Sequence, residues 1–391
     1  MNKTTKTSIW SVPYVILLLA NFFQSTAAFM TMATLPLYAT VLGASAAMVG
    51  VVSSSFALSS LLIRPIAGPA FDSFSRRRML ILSQVIITIC MFLYGFVQSL
   101  EVLVVVRLFH GIGVGCSGPL AMSMLTEYLP KDKFASGVSI YTLAQSFAQV
   151  IGPAAGLTLI DLIGFTWSYI LAALSVLIAI IGVIFLKEPS YQKLPYKLRF
   201  DRMFAPQVIS KAIALMCIST SFACMGSYIV LYGLERGIEN LGFYFIVYSF
   251  GLVITRPIYG NLADKYGTPR FVAVGVLFFL ASYIALSVAT GVSGFVIAAI
   301  LGAFGFGCCA PLLQSFALAS VSASHRGAAS NTMFTGLDLG SLIGPVIGGF
   351  IVEGIYGQTG NMALAYSNLW LYMLIPALGT LILSIRWAFH K

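Results

Sequence analysis

Long apolar runs, separated by short polar segments, dominate the chain. No Asp, Glu, Lys, Arg or His lies between Lys6 and Arg64, or between Arg270 and His325. Each of these gaps is long enough for two membrane crossings of about 20 residues joined by a short turn. The apolar runs predict twelve spans, roughly at 11–38, 46–66, 79–98, 101–126, 134–160, 165–186, 208–233, 240–258, 271–289, 293–320, 327–352 and 364–386. Because backbone groups have no water partner in hydrocarbon, we expect these spans to be helices.

The composition agrees with a membrane protein. Of the 391 residues, 59% are hydrophobic and 9% are charged, whereas a soluble domain carries about 25% charged residues. No CxxC pair or His-rich spacing is present, so the sequence predicts neither a disulfide framework nor a metal site, and no cofactor. The cysteines all fall within apolar stretches: Cys90, Cys116, Cys217, Cys224, Cys308 and Cys309.

The distribution of basic residues predicts the orientation in the cell membrane. If the N-terminus is cytoplasmic, the loops on that side receive most of the Lys and Arg, and the opposite loops carry only Arg236. The positive-inside rule therefore places both termini of this multi-pass chain in the cytoplasm. The net charge of +10 then faces the inner leaflet of the lipid bilayer, so no nucleic-acid partner is expected.

Three sequence blocks recur at an offset of 192 positions. RPIAGPAFD recurs as RPIYGNLAD, GVGCSGPLAMS as GFGCCAPLLQS, and IGPAAG as IGPVIG. Two halves related by an axis along the membrane normal are a known transporter architecture. The sequence thus predicts an all-α membrane protein whose twelve transmembrane helices form two six-helix pseudo-symmetric bundles. The expected bundles are residues 1–186 and 208–391, joined by a polar cytoplasmic linker at 187–207.

The loops after spans 2 and 8 read GPAFDSFSRRR and GNLADKYGTPR. Both resemble the signature G-x-x-x-D-[RK]-x-G-[RK] of the major facilitator superfamily, although Ser73 and Ser75 replace the basic residue and the second glycine in the first copy. The resemblance implies the twelve-span fold of that family and loops that latch the cytoplasmic ends of the bundles in the outward-open state. The glycines are expected to allow close helix approach. The residues expected in this switch are Gly68, Asp72, Arg76, Gly260, Asp264 and Gly267.

Span 5 carries the sequence GPAAG, which resembles the glycine-proline signature of drug:proton antiporters within the family. Small residues let helices approach closely, and proline can bend a helix because it lacks an N–H. The resemblance implies a sealed helix interface, here expected in both halves. The residues concerned are Gly152, Pro153, Gly156, Gly344, Pro345 and Gly348.

Three ionisable residues lie deep within spans and are the proton-coupling candidates: Arg107, His110 and Asp338. Arg107 and His110 lie about 9 and 14 Å inside span 4, in a stretch that resembles the antiporters' R-x-x-Q-G-x-G pattern with His in place of Gln. Asp338 lies about 17 Å inside span 11, deeper than any other carboxylate. Charges at such depth are costly and usually functional, and burial favours a neutral carboxyl group that can bind a proton. A purely structural role is the alternative for each residue.

Milder polar residues are candidates for a substrate cavity. In the family that this chain resembles, spans 1, 4, 5, 7, 8, 10 and 11 line the cavity. Amides and aromatics would suit an organic, moderately amphipathic solute, although aromatic stripes also serve packing. The candidates are Asn21, Gln24, Gln145, Gln149, Tyr244, Tyr248 and Gln314.

These features predict a secondary active transporter that moves a small organic solute across the cytoplasmic membrane by alternating access. The antiporter resemblance favours proton-coupled efflux, and a proton symporter for nutrient uptake is the alternative. A membrane receptor or enzyme would belong to another class. No nucleotide-binding loop, catalytic triad or sizeable soluble domain supports an enzyme. The expected partners are the solute, protons and the lipid bilayer, and the chain is expected to act as a monomer.

Overall fold

The described residues of the first half of the chain form six helices. The computed structural model describes residues 9–130, 134–188, 195–196, 204–322 and 326–389. The first four helices are α1 Val12–Val41, α2 Ala46–Ser73, α3 Arg76–Tyr94 and α4 Leu100–Tyr128. The helical stretch Phe134–Ile184 contains Gly164 with φ 76° and ψ 173°, a conformation that favours glycine and interrupts the helix. We therefore divide it into α5 (134–163) and α6 (165–184).

The second half repeats this arrangement. After a short 3₁₀ turn at Pro206–Val208, the helices are α7 Ile209–Glu235, α8 Gly242–Tyr266, α9 Thr268–Ser287, α10 Val292–Ala319, α11 Arg326–Thr359 and α12 Met362–Phe389. A turn at Met373 separates α12 into two segments. The prediction of an all-α membrane fold with twelve spanning helices is confirmed. Most of the predicted linker at 187–207 lies outside the described residues.

Serine side chains begin the first four helices. An N-cap residue accepts a hydrogen bond from one of the backbone N–H groups that the first turn leaves unpaired, which stabilises the helix start. Ser45, for example, accepts from the backbone N–H of Met48 at the start of α2. The caps of the first four helices are Ser11, Ser45, Ser75 and Ser99.

Each bundle is held together by its own set of helix pairs. In the first bundle α1 packs against the α5–α6 stretch, α2 against α4, and α3 against α4 and the same stretch. In the second bundle the main pairs are α7 with α11, α8 with α10, α9 with α10, and α9 and α7 with α12. The two bundles meet where α2 packs against α11 and where the α5–α6 stretch packs against α8.

Candidate functional site

The deepest carboxylate forms an ion pair between the bundles. Asp338 on α11 accepts hydrogen bonds from Arg64 on α2, with Nε–Oδ2 and Nη2–Oδ1 distances of 2.6 and 3.4 Å. The guanidinium also lies 5.0 Å from the centre of the Phe334 ring. The side chains of Arg64 and Asp338 are only 15% and 8% exposed. A two-point guanidinium–carboxylate contact is both strong and geometrically specific.

Arg64 is the functional candidate that sequence analysis missed. Its charge ends the long uncharged stretch that starts after Lys6, and it lies about 27 Å along α2 by helical rise. A guanidinium at such a position is expected to have a partner in the protein. That partner is 274 positions away in the sequence, so the pair could not be read from local spacing.

Arg107 and His110 form a second cluster, within the first bundle. Nη1 of Arg107 lies 3.3 Å from Nδ1 of His110, and the hydroxyl of Tyr94 lies 3.0 Å from the same nitrogen. The guanidinium of Arg107 stacks 4.7 Å from the centre of the Phe56 ring. The structure thus brings two of the three coupling candidates together, while Asp338 pairs with Arg64.

Two of the predicted cavity residues belong to an amide cluster among α1, α3, α4 and α5. Gln24 donates to the hydroxyl of Ser117 at 2.5 Å and accepts from Gln84 at 3.4 Å. Asn21 donates to the backbone carbonyl of Tyr141 at 3.3 Å. Gln84, which the sequence analysis did not single out, is therefore a member of this cluster.

The two predicted cavity tyrosines lie in an aromatic cluster inside the second bundle. The rings of Tyr244 and Tyr248 stack with their centres 6.3 Å apart, and both side chains are buried. Tyr248 lies beside Phe222, whose ring stacks on that of Phe306 at 3.7 Å. In this conformation the tyrosines pack within their bundle, in contrast to the half-exposed amides of α1.

The remaining cavity candidates take different positions. Gln145 on α5 is exposed, whereas Gln149 and, on α10, Gln314 are half-buried. The backbone carbonyl of Gln149 accepts from the Ser249 hydroxyl of α8 at 3.3 Å. Gln149 therefore contributes a contact between the bundles.

The glycines around both GP motifs lie at close helix contacts within each bundle. A Cβ atom on Gly152 would lie 2.7 Å from the Thr26 carbonyl oxygen of α1, and Pro153 continues the same helix. A Cβ on Gly156 would lie 2.6 Å from Cγ of Met30. These approaches leave no room for a side chain, as in other membrane helix pairs that use small residues.

The corresponding contact in the second bundle is longer. Four glycines of α11, spaced four apart, face four residues of α7 with the same spacing. A Cβ on these glycines would lie 2.4, 2.4, 2.0 and 2.5 Å from α7. The facing pairs are Gly336 with Ala212, Gly340 with Met216, Gly344 with Thr220, and Gly348 with Cys224.

Pro345 links three helices at the bundle interface. The hydroxyl of Tyr228 on α7 lies 2.8 Å from the carbonyl oxygen of Pro345 and 2.9 Å from that of Ala46 on α2. A Cβ on Gly50 of α2 would lie 2.2 Å from the same Pro345 oxygen. The GP motif of α11 thus serves a contact between the bundles as well as one within its own bundle.

The two signature loops build their turns differently. In the second copy, Gly267 between α8 and α9 has φ 98°, the backbone region that favours glycine. In the first copy, Ser75 has φ −62° and its hydroxyl caps α3. The first copy, with serine in place of the signature glycine, therefore has a side-chain cap where the second copy has a positive-φ glycine turn. The side chains of Asp72 and Asp264 and the surroundings of Gly260 lie outside the described residues.

The expected close approach at Gly68 is absent in this conformation. Gly68 is exposed, and a Cβ there would meet no atom of the described residues within 4 Å. The other predicted member of this loop, Arg76, forms an ion pair with Glu127 of α4. Because Arg76 and Glu127 belong to the same bundle, this contact fastens the loop to its own half of the molecule.

The end of α4 contacts the segment that follows α6. Tyr128 lies three residues beyond the apolar stretch Leu100–Leu125, and its hydroxyl donates to the carbonyl of Lys187. Burial, followed by the nearby charges of Glu127 and Glu188, raises the pKa of Tyr128 to about 12. The hydroxyl therefore stays protonated near neutral pH and keeps its role as donor.

Two carboxylates join the bundles at the end of the molecule where α2 and α8 begin. Glu353 of α11 accepts from the Ser45 hydroxyl and the Ala47 N–H at 3.3 Å each. Asp161 of α5 accepts from Asn240, just before α8, at 2.9 Å. Asp161 and Glu353 are 192 positions apart, so the internal repeat supplies both contacts. A carboxylate at a helix N-terminus also interacts favourably with the helix dipole.

An apolar groove of about 260 Å³ lies between α3 and α4. Ile89, Leu93 and Phe109 line it and are largely exposed. A groove of this composition on a spanning helix pair suits contact with lipid chains, and its lining offers no polar group to a solute.

Comparison with known proteins identifies the family. The family model "Major Facilitator Superfamily" matches residues 17–245 and 212–390. The chain is 27% identical over 372 residues to a protein of Lactococcus lactis subsp. lactis (strain IL1403) named "Multi-drug resistance efflux pump PmrA homolog", covering 90% of each chain. It is 20% identical over 334 residues to "Quinolone resistance protein NorA" of Staphylococcus aureus (strain MRSA252), covering 82% of this chain and 84% of that protein.

Solved structures agree on the fold. The nucleoside transporter NupG (D323A mutant) superposes with a TM-score of 0.80 at 15% identity, covering 97% of this chain and all of that one. An inward-facing, unoccupied bacterial homologue of the human lysosomal transporter Spinster superposes with a TM-score of 0.75 at 19% identity, covering 98% of both chains. Members of the matched family are transporters and not enzymes. The chain belongs to the Major Facilitator Superfamily and is a multi-pass membrane transporter.

Proposed function

We propose that this transporter exports a small organic solute across the cytoplasmic membrane in exchange for protons. The observation that carries the proposal is the Arg64–Asp338 pair, which joins α2 of one bundle to α11 of the other. Relatives named multidrug efflux pumps support the direction of transport. The solved structures that share the fold include nucleoside and peptide transporters, so the fold alone leaves the solute open.

The ion pair supplies a physical link between protonation and movement. While Asp338 is ionised, its carboxylate attracts Arg64 and holds α2 against α11. A proton on the carboxyl group removes that charge and leaves a weaker hydrogen bond between the guanidinium and a neutral carboxyl group. Since the pair crosses the bundle interface, the charge on Asp338 biases the equilibrium between two arrangements of the bundles. Proton binding and release are thereby tied to alternating access.

The predicted orientation assigns the conformation. With both termini cytoplasmic, the starts of α2 and α8 face outwards, and the contacts of Glu353 and Asp161 close that outer end. The described conformation would then be closed to the outside. Among the described hydrogen bonds between helices of different bundles, Arg64–Asp338 would lie nearest the cytoplasm. In this proposal residues 1–186 and 208–391 move as two bodies about the linker at 187–207. In this proposal one chain forms the whole transport pathway, so the protein acts as a monomer.

The test compares downhill and uphill transport in proteoliposomes for Asp338→Asn. A panel of anionic, zwitterionic and cationic fluorescent dyes serves as substrate, and an imposed pH gradient is the driving force. The asparagine keeps the shape of the side chain but cannot titrate, so the variant should exchange solute downhill and fail to accumulate it against its gradient. Glu101→Gln makes the same chemical change at an exposed position on α4 and should accumulate solute normally.

Two results would contradict the proposal. Uphill accumulation by the Asp338→Asn variant at the wild-type rate would make the carboxyl group structural. Accumulation on the side towards which protons flow would identify a symporter, the alternative that the sequence left open.

A further inference from the structure

Arg107 is a buried positive charge without a described counter-ion. It is 6% exposed, and its described neighbours are neutral: the Phe56 ring, the side chain of His110 and the hydroxyl of Tyr94. Among the described residues no carboxylate pairs with it. Asp338, the one deep carboxylate of the sequence, is paired with Arg64. An uncompensated charge in a dry interior is strongly unfavourable, so the state in which the site is used must supply an anion.

The hydrogen bonds also determine which groups of the cluster are free. Arginine nitrogens only donate, so Nδ1 of His110, 3.3 Å from Nη1 of Arg107, must be the acceptor and carries no proton. The imidazole is then neutral with its proton on Nε2. Both this Nε2 and the Nε of Arg107 are buried without a described hydrogen-bond partner. The cluster therefore presents two unsatisfied N–H donors and one positive charge.

We propose that Arg107 and His110 bind the carboxylate group of the transported solute, which is therefore an organic anion or zwitterion. A carboxylate oxygen can accept from the free N–H of Arg107 or of His110, while the charge of the carboxylate neutralises the guanidinium. A cationic amine would meet repulsion and offers no acceptor. The inference rests on the proposed transport function and names the chemical class of its solute.

The rest of such a solute would meet the amide cluster. Ser117 lies seven residues beyond His110, about 10.5 Å along the same face of α4, and its hydroxyl accepts from Gln24. Gln24 in turn contacts Gln84. A carboxylate bound at Arg107 therefore leaves uncharged polar groups of the solute within reach of side-chain amides. The repeat counterparts of Arg107 and His110 are Ala299 and Gly302, so the second bundle cannot form an equivalent site.

The experiment measures binding at equilibrium, without a proton gradient. Purified full-length protein in phosphatidylcholine nanodiscs is titrated with benzoate, phenylacetate and 4-phenylbutyrate, and with the methyl ester and the amine of each skeleton. Binding is read from the ligand-dependent shift in Tm. At least one carboxylate should raise Tm, and its ester and amine should not. Arg107→Gln should weaken apparent affinity by about tenfold or more, as expected on loss of a charge-assisted hydrogen bond.

Control variants separate the site from general effects. Arg386→Gln removes a guanidinium at an exposed position of α12 and should keep the wild-type response. His110→Phe removes the neutral donor but keeps the charge, so it should weaken carboxylate binding less than Arg107→Gln. If Arg107→Gln does not fold, the His110→Phe response together with the ester and amine series decides the result.

Several outcomes would overturn the inference. These are the absence of a Tm shift with every carboxylate, an equal shift with the amines, or a carboxylate shift that survives Arg107→Gln. Competition by phosphatidylglycerol in the nanodisc would assign the donors to a lipid headgroup instead. Because the assay needs no transport, carboxylate binding with failed proton-driven accumulation would reject the proposed coupling and keep the site.

Discussion

Replacing Gly344 with alanine tests how tightly α11 is held against α7. The added Cβ would lie 2.0 Å from the Thr220 carbonyl oxygen, and real Cβ contacts essentially never fall below 3.0 Å. The two helices must therefore separate by about 1 Å at this point. Because the obstructing atom belongs to the backbone, no side-chain rotation can relieve the clash.

The structure sets the size of the effect. Overpacking of this kind costs about 1–3 kcal/mol, and the higher helix propensity of alanine offsets about 0.5–1 kcal/mol. We expect a net loss of about 0.5–2 kcal/mol in the free energy of unfolding. A shift of about 1 Å is also large beside the 2.6 Å Arg64–Asp338 contact, and Asp338 lies on α11 between Gly336 and Gly340. Uphill transport should therefore fall together with stability.

A matched control is available on the same helix. Within the part of the chain that the structure describes, a Cβ on Gly354 would meet no atom within 4 Å. Gly354→Ala should therefore be neutral or stabilise the protein by about 0.4–1 kcal/mol through the unfolded state. Equilibrium unfolding in bicelles measures both variants, and dye accumulation in proteoliposomes measures transport. Gly344→Ala should lower the free energy of unfolding, and Gly354→Ala should leave it unchanged or raise it. Equal stability of Gly344→Ala and the wild type would refute the reasoning.

Two further predictions concern the other helix contacts. Gly152→Leu forces a side chain against the Thr26 carbonyl, 2.7 Å from the Cβ position, and should abolish transport or let protons leak. A variant that transports normally and holds a pH gradient would show that this helix contact tolerates a large side chain. Asp161→Asn combined with Glu353→Gln should separate the bundles more often at the end of the molecule where α2 and α8 begin. Exposed contacts of this kind contribute about 0.2–1 kcal/mol each, so the shift in the populations should be modest. Distances between spin labels across that end measure it, and unchanged distance distributions would rule out a role in closure.

Much of the architecture could be predicted because it depends on local properties of the chain. The length of an apolar run decides whether a helix can cross the bilayer, and lipid forces the backbone to satisfy its own hydrogen bonds. The offset between the repeated blocks predicted that Gly152 and Gly344, and likewise Asp161 and Glu353, occupy equivalent positions in the two halves. Depth along a span was enough to single out Arg107, His110 and Asp338.

The partners of those residues depended on tertiary structure. Asp338 could have faced lipid, the cavity or another helix, and only the packing of α2 against α11 brought Arg64 to it from 274 positions away. Tyr244 and Tyr248 have the composition of a cavity wall, yet they pack inside their bundle, because an aromatic face satisfies either environment equally well.

The sequence alone therefore determined that the chain spans a membrane, where its helices lie, that its halves repeat, and how far along a span each charged residue stands. These properties follow from composition and from spacing along one chain. The tertiary structure decided which charges are neutralised and which donors are left free. Those outcomes depend on atoms brought within about 3 Å of each other, and no periodicity in the sequence records that distance. Arg64 pairs with a carboxylate, whereas the described neighbours of Arg107 are all neutral.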